Sequence, residues 1–152
     1  MMGKVECSIE ISAHIEKVFV FLSNPKNLER VLVESQFKIE SVSREPAGVG
    51  TKFLVSAVVG GLKVKPHWHE IVEFEEKSKI VMGEVKGGPM KKEDFIFVFN
   101  ATDRGTNLTI GIDYIFPYSI FGKFLDKLLA RKAFDRVVTN GAKKAKELLE
   151  AA

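Results

Sequence analysis

The sequence predicts an α+β fold: a seven-stranded antiparallel sheet wrapped around one long C-terminal helix, with two short helices after the first strand. Three observations predict it. From Phe37 to Phe116 the apolar residues recur at every second position, the period of strands with one buried face. Short turn-forming segments separate those runs, so successive strands pair antiparallel. Beyond Pro117 the spacing changes to three and four residues and stays helical to Glu150, and one long helix must cover a face of the sheet.

Each element follows in order. Lys4 to Ile11 alternates, with Val5, Cys7, Ile9 and Ile11 on one face. Ser12 offers an N-cap for a helix to Leu22, whose apolar side carries Ile15, Val18, Phe19 and Leu22. Asn24-Pro25 restarts the chain as a second short helix to Leu32, with Pro25 at the first helical position. Phe37–Val42 is a strand, then a loop containing Pro46 and Gly48. Thr51–Val59 is a strand closed by Gly60-Gly61, which suits a tight hairpin with positive φ. Leu62–Glu75 is long and interrupted by Pro66. Lys79–Lys86 ends at Gly87-Gly88-Pro89. Lys92–Ala101 places Phe95, Phe97 and Phe99 on one face, and Asp103 to Gly105 turns the chain. Asn107–Phe116 places Leu108, Ile110, Ile112, Tyr114 and Phe116 together, and Tyr118–Glu150 is the helix.

Composition narrows the function. With 152 residues, 45% hydrophobic and 28% charged, the chain reads as one domain over 1–152 that builds its own core. No apolar run is long enough to span a bilayer, and Met1 to Glu10 lacks a signal-peptide stretch. The single Cys7 excludes an internal disulfide and a cysteine zinc cluster, which makes a reducing, cytoplasmic location the default expectation. A net charge of +3 is too near balance to demand a nucleic-acid partner. Oligomeric state is not legible.

The long helix carries two apolar stripes. Phe121, Phe124, Leu125, Leu128 and Leu129 lie on one side; Phe134, Val137, Val138, Ala145, Leu148 and Leu149 lie roughly 160° away. Either the helix breaks near Ala130 to Ala133, or its first part faces something other than the sheet centre. Gly141, in the second stripe, implies a close approach of the helix backbone to the sheet.

Ile9 to Pro25, Gly50-Thr51-Lys52-Phe53, Glu70 to Glu75, Gly105 to Thr109, and Tyr114 to Pro117 followed by Gly122 to Leu128 cover nearly the whole chain. Together, in this order, they resemble the START/birch-allergen (SRPBCC) superfamily, nearest its polyketide cyclase/dehydrase-like branch. His14 stands where many members have Pro, and the helix is unusually lysine-rich. The resemblance implies a helix-grip fold with a deep apolar cavity for a lipid, sterol or polyketide-like molecule. It implies no single chemistry, since members include cyclases, carriers and receptors.

The expected function is binding of a small hydrophobic ligand between sheet and helix. The alternatives are a cofactor-independent cyclase or dehydratase using Glu70 or a histidine as acid/base, and a basic surface module docking an anionic membrane or partner. Expected lining residues are Val55, Trp68, Glu70, Val72, Phe95, Phe97, Ile112 and Tyr114 from the strands, with Phe121, Phe124, Leu125 and Leu128 roofing the mouth. Trp68 and Glu70 share a strand face with Val64, Val72 and Phe74, which favours that face as the inward one. Pro66 lacks a ladder donor; a bulge there would swap the faces and turn His67 and His69 inward. Those two histidines alone are weak evidence for a metal, and no metal or cofactor is expected. No catalytic nucleophile motif is present, and Gly48-Val49-Gly50-Thr51 lacks the lysine of a phosphate loop. The helix carries eight basic and four acidic residues, which suits either a solvated face or an anionic surface.

Overall fold

The structure is a computed structural model that describes residues 2–85, 90–116 and 127–151. The order is β1 (Met2–Ile11), α1 (Ile15–Ser23), a 3₁₀ turn (Pro25–Asn27), α2 (Leu28–Val31), a second 3₁₀ turn (Val33–Ser35), β2 (Lys38–Glu40), β3 (Lys52–Val59), β4 (Leu62–Glu75), β5 (Lys79–Glu84), β6 (Lys92–Thr102), β7 (Gly105–Ile115) and α3 (Lys127–Glu150). All seven strands form one antiparallel sheet in the order β1-β7-β6-β5-β4-β3-β2. Five of the connections join sheet neighbours directly. The step from β1 to β2 instead crosses to the far edge through the short helices, which cap one end of the sheet.

Local chemistry explains the ends of these elements. Asn24 accepts from the Lys26 N–H through its side chain, and Pro25 takes the first position of the turn that follows. Ser12 does not cap α1: His14 holds that position without a side-chain hydrogen bond, and the Ser12 N–H donates to Glu150 Oε2 at 2.7 Å. The β3–β4 hairpin turns at Gly60 and Gly61, both at positive φ (58° and 80°).

α3 lies on β1 and β7 and reaches β3. Its buried side is Ala130, Phe134, Val137, Val138, Ala142, Ala145 and Leu149, a single stripe at three- and four-residue spacing. The helix runs unbroken from Lys127 to Glu150, so of the two alternatives the sequence leaves open, the break near Ala130 to Ala133 does not occur. The second sequence stripe grips the sheet, and Leu129, the one first-stripe side chain among the described residues, is 64% exposed. Phe121, Phe124 and Leu125, and the side chain of Leu128, lie outside the described residues. Gly141 does mark a close approach, but to Leu32 rather than to the sheet. A Cβ there would sit 2.9 Å from Leu32 Cδ2 and 4.0 Å from Ile110 Cδ1.

β4 departs from simple alternation twice. Against β3 its register slips between the Val55–His67 and Ala57–Val64 pairs, one extra residue falling at Lys65-Pro66. Against β5 it slips again between Ile71 and Glu73. Between these two bulges the inward residues are His67, His69 and Ile71; outside them they are Val64 and Phe74. The even-numbered face read from the sequence is therefore inward at both ends of the strand and outward in the middle.

Candidate functional site

The bulge at Pro66 places two histidines on the inner wall. His69 is fully buried and His67 is 7% exposed. Cross-strand pairing then builds a polar row. His69 pairs with Glu84 of β5. Glu93 of β6 sits one position beyond the Gly83–Asp94 pair, beside Glu84, and itself pairs with Tyr114. Two histidines and two carboxylates thus share the inner face of three adjacent strands.

Their geometry is close but incompletely bonded. His69 Nε2 lies 3.4 Å from Glu93 Oε1, and His67 Nε2 lies 3.9 Å from both Glu93 Oε1 and Glu84 Oε1. His67 Nδ1 donates to the Lys65 carbonyl at 2.8 Å, which fixes its tautomer when neutral and leaves Nε2 facing the carboxylates. Glu84 Oε1 accepts from the Met90 N–H at 3.3 Å. His67 Nε2, both ring nitrogens of His69, and Glu84 Oε2 are buried without hydrogen-bond partners. The 3.4 Å approach of His69 Nε2 to Glu93 Oε1 is therefore a close polar contact rather than an aligned hydrogen bond. Aromatic rings pack the cluster in: Phe53 stacks on His69 at 5.9 Å, and Phe95 lies 5.7 Å from it.

Burial and mutual charge pull these groups apart in acidity. Burial alone would raise the Glu93 carboxyl, but the two imidazoles hold it down to about 2. Burial pushes Glu84 up to about 7, and the neighbouring Glu93 charge adds to this against the Met90 N–H. At His67 burial opposes the charged ring, yet Glu93 and the Lys65 carbonyl prevail and raise it. At His69 burial prevails and lowers it.

Between this wall and α3 lies a small cavity of about 20 Å³, lined by His67 and Glu93 with Val55, Phe95, Ile112, Phe134 and others. That is room for roughly one water. A larger hollow of about 1300 Å³ is an open groove between α1, the β2–β3 loop and the end of α3, floored by Phe19, Phe74 and Leu148. Its ionisable rim is surface-borne; Glu16, for example, pairs with Lys77 at 2.9 Å. The unusual chemistry lies at the small cavity.

Of the expected lining residues, Val55, Phe95 and Ile112 wall the cavity. Phe97 is buried in the same layer, and Tyr114 stacks on Phe134 at 4.6 Å. Trp68, Glu70 and Val72 do not face inward. Trp68 is 42% exposed, Val72 is exposed, and Glu70 sits on the outer face with Lys52 Nζ 3.9 Å from its carboxylate. The bulge at Pro66 is the reason. Glu84 and Glu93 went unread, although a signal existed: each lies two residues along its strand from a core residue on the same face, Met82 and Phe95. On α3, Lys146 donates to the Glu10 carbonyl and to Glu150, and Lys144 to Glu147. Two of the eight basic residues are thus paired within the fold.

A family model described as polyketide cyclase / dehydrase and lipid transport matches residues 2–150. No curated protein matches the sequence. Among solved structures, the Thermus thermophilus protein TTHA0849 aligns at 23% identity over 96% of this chain and 99% of its own, with a TM-score of 0.74. The Zhui aromatase/cyclase of Streptomyces sp. R1128 aligns at 14% identity over 99% and 94%, with a TM-score of 0.79. A START superfamily protein of Mycobacterium smegmatis aligns at 13% identity over 97% of both chains, with a TM-score of 0.75. At these identities the likeness is one of fold. No helix among the described residues is long and apolar enough to cross a membrane.

Proposed function

The chain belongs to the polyketide cyclase/dehydrase and lipid-transport family, and from that premise we propose that it binds one small hydrophobic molecule between the sheet and α3, with the molecule's polar end against His67, Glu84 and Glu93. One observation carries this reading. His67 Nε2 is buried without a hydrogen-bond partner on the wall of a mainly apolar space, with the unpartnered ring of His69 and Glu84 Oε2 beside it. Each such group costs about 1–3 kcal/mol in a solid core, a cost that a merely structural wall does not require. A bound polar group would satisfy them.

The cavity as it stands is far below the roughly 300 Å³ of a small-molecule site. Binding therefore requires the wall formed by Phe134 and Val137 to part from Val55 and Ile112, selecting a more open state of the protein. The same geometry favours a second reading, cyclase- or dehydratase-type turnover. A histidine and a carboxylate face the space, as acid/base work requires. Glu70, on the outer face, has no part in it.

The test uses 1-anilinonaphthalene-8-sulfonate as probe. One molecule should bind per chain and shift the methyl resonances of Val55, Ile112 and Val137. Ala57→Phe, which fills the cavity from β3, should weaken binding at least tenfold while the protein stays folded. Shifts confined to the open groove beside Phe19 and Phe74, or no stoichiometric binding, would overturn the reading.

A further inference from the structure

We propose that His67, His69 and Glu93 form a site for one divalent transition-metal ion of the zinc class, its open position facing the cavity. The proposal goes beyond the ligand reading and does not depend on it. The donor nitrogens and the carboxylate oxygen of these three residues all lie within 4.8 Å of one another. His69 Nε2 and Glu93 Oε1 are 3.4 Å apart, and His67 Nε2 and Glu93 Oε1 are 3.9 Å apart. Ligand atoms about 2.1 Å from a tetrahedral ion stand roughly 3.4 Å from each other. Small side-chain rotations close the remaining difference.

Further features fit a metal. The Lys65 carbonyl takes the Nδ1 proton of His67 and leaves Nε2 as the ligating atom, the outer contact that metal-bound imidazoles generally have. His69 is fully buried, with neither ring nitrogen hydrogen-bonded and with Nε2 aimed at the same carboxylate. Two imidazoles and one carboxylate suit zinc, iron, cobalt or nickel, whereas magnesium and calcium ask for more oxygens. Glu84, whose Oε1 lies 3.9 Å from His67 Nε2 and whose Oε2 is unpartnered, supplies a second negative charge to balance the ion. The cavity of about 20 Å³ beside His67 and Glu93 has room for one water as the fourth ligand. Three protein ligands and an open position form the pattern of a reactive rather than a purely structural ion. The sequence device is compact: His-x-His puts both rings on one strand face, and the bulge at Pro66 turns that face inward.

The experiment titrates chelator-treated full-length protein with zinc chloride alone, and separately with cobalt and magnesium chlorides. Zinc should bind one to one and move the ring ¹⁵N signals of His67 and His69 while leaving those of His14 in place. Cobalt should develop the visible bands of a low-coordinate site with nitrogen ligands, and magnesium should do nothing. Glu93→Gln and His69→Gln should weaken zinc at least about 100-fold. The ring signals of the wild-type protein decide the matter if either variant fails to fold. Failure of the wild type to bind zinc, zinc shifts confined to His14, or full affinity in folded Glu93→Gln would overturn the proposal.

Discussion

Single residues set the hardest limits, and Gly105 is the clearest. It opens β7 at φ 149°, and a Cβ there would meet the Ile11 carbonyl and come within 2.8 Å of the Ala13 N and 3.0 Å of its O. All three are backbone atoms, which cannot step aside as a side-chain tip can. Gly105→Ala should destabilise the fold by about 2 kcal/mol or more, combining positive-φ backbone strain with the clash. For a chain of this length that lowers Tm by roughly 4–8 °C. Gly61, at φ 80° with nothing within 4 Å of its Cβ position, is the control: Gly61→Asn should cost well under 1 kcal/mol, because Asn tolerates this region. Equal losses at the two positions in thermal melts would show that the contact at Gly105 is not the cause. At this scale the sequence was legible. It marked Asp103 to Gly105 and Gly60-Gly61 as turns, although it did not reveal that Gly105 abuts the chain leaving β1.

At the scale of elements, legibility failed wherever the pattern was interrupted. The sheet, its strand order along the chain and the terminal helix followed from periods of 2 and 3.6. The inner face of β4 did not. Val64 and Phe74 flank a segment whose parity two bulges invert, and a one-residue slip flips every side chain between them. Pro66 was the only visible cue, and it allowed either face. The stripes of α3 pose the same problem. Periodicity showed two, but not which one meets the sheet. Gly141 provides the element-scale prediction. Its helix interior would gain about 1 kcal/mol from Ala, whereas overpacking against the buried Leu32 costs about 1–3 kcal/mol. Gly141→Ala alone should therefore be neutral to destabilising. In a Leu32→Ala background, where the 2.9 Å obstruction is gone, the same change should stabilise by up to about 1 kcal/mol. A double-mutant cycle by denaturant melts checks the reversal. Additive effects would mean that α3 and Leu32 do not press on each other.

On three adjacent strands of the sheet His67, His69, Glu84 and Glu93 are buried ionisable groups, so the stability of the molecule must depend on pH. In chelator-treated protein the groups divide by sign. Glu93, depressed to about 2, contributes stability above the unfolded carboxylate range, and this is lost as pH falls from about 4.5 toward 2. His69, lowered by burial and by the neighbouring His67 charge against Glu93 and Asp94, loses stability as pH falls below about 6.5, where the unfolded imidazole takes a proton. His67, raised, contributes below about 6.5, and that contribution is lost as pH climbs past its folded value. Glu84 acts in the same direction. Its carboxyl is raised from 4.5 to about 7 by burial, with Glu93 and His67 as its charged neighbours and the Met90 N–H opposing. The folded state therefore holds this proton more tightly than the unfolded chain does. Between pH 4.5 and 7 the unfolded chain gives up the proton first, and above 7 the folded protein carries a buried, poorly bonded charge. A shift of this size corresponds to at most about 3 kcal/mol lost across that window. Glu84→Gln keeps the shape and removes the titration. Wild-type stability should fall relative to the variant between about pH 4.5 and 7, by up to about 3 kcal/mol, while His67 and His69 titrate with opposite signs in both proteins. Denaturant melts at several pH values read this difference directly. Parallel curves for the two proteins would place Glu84 in contact with water and remove it from the buried cluster.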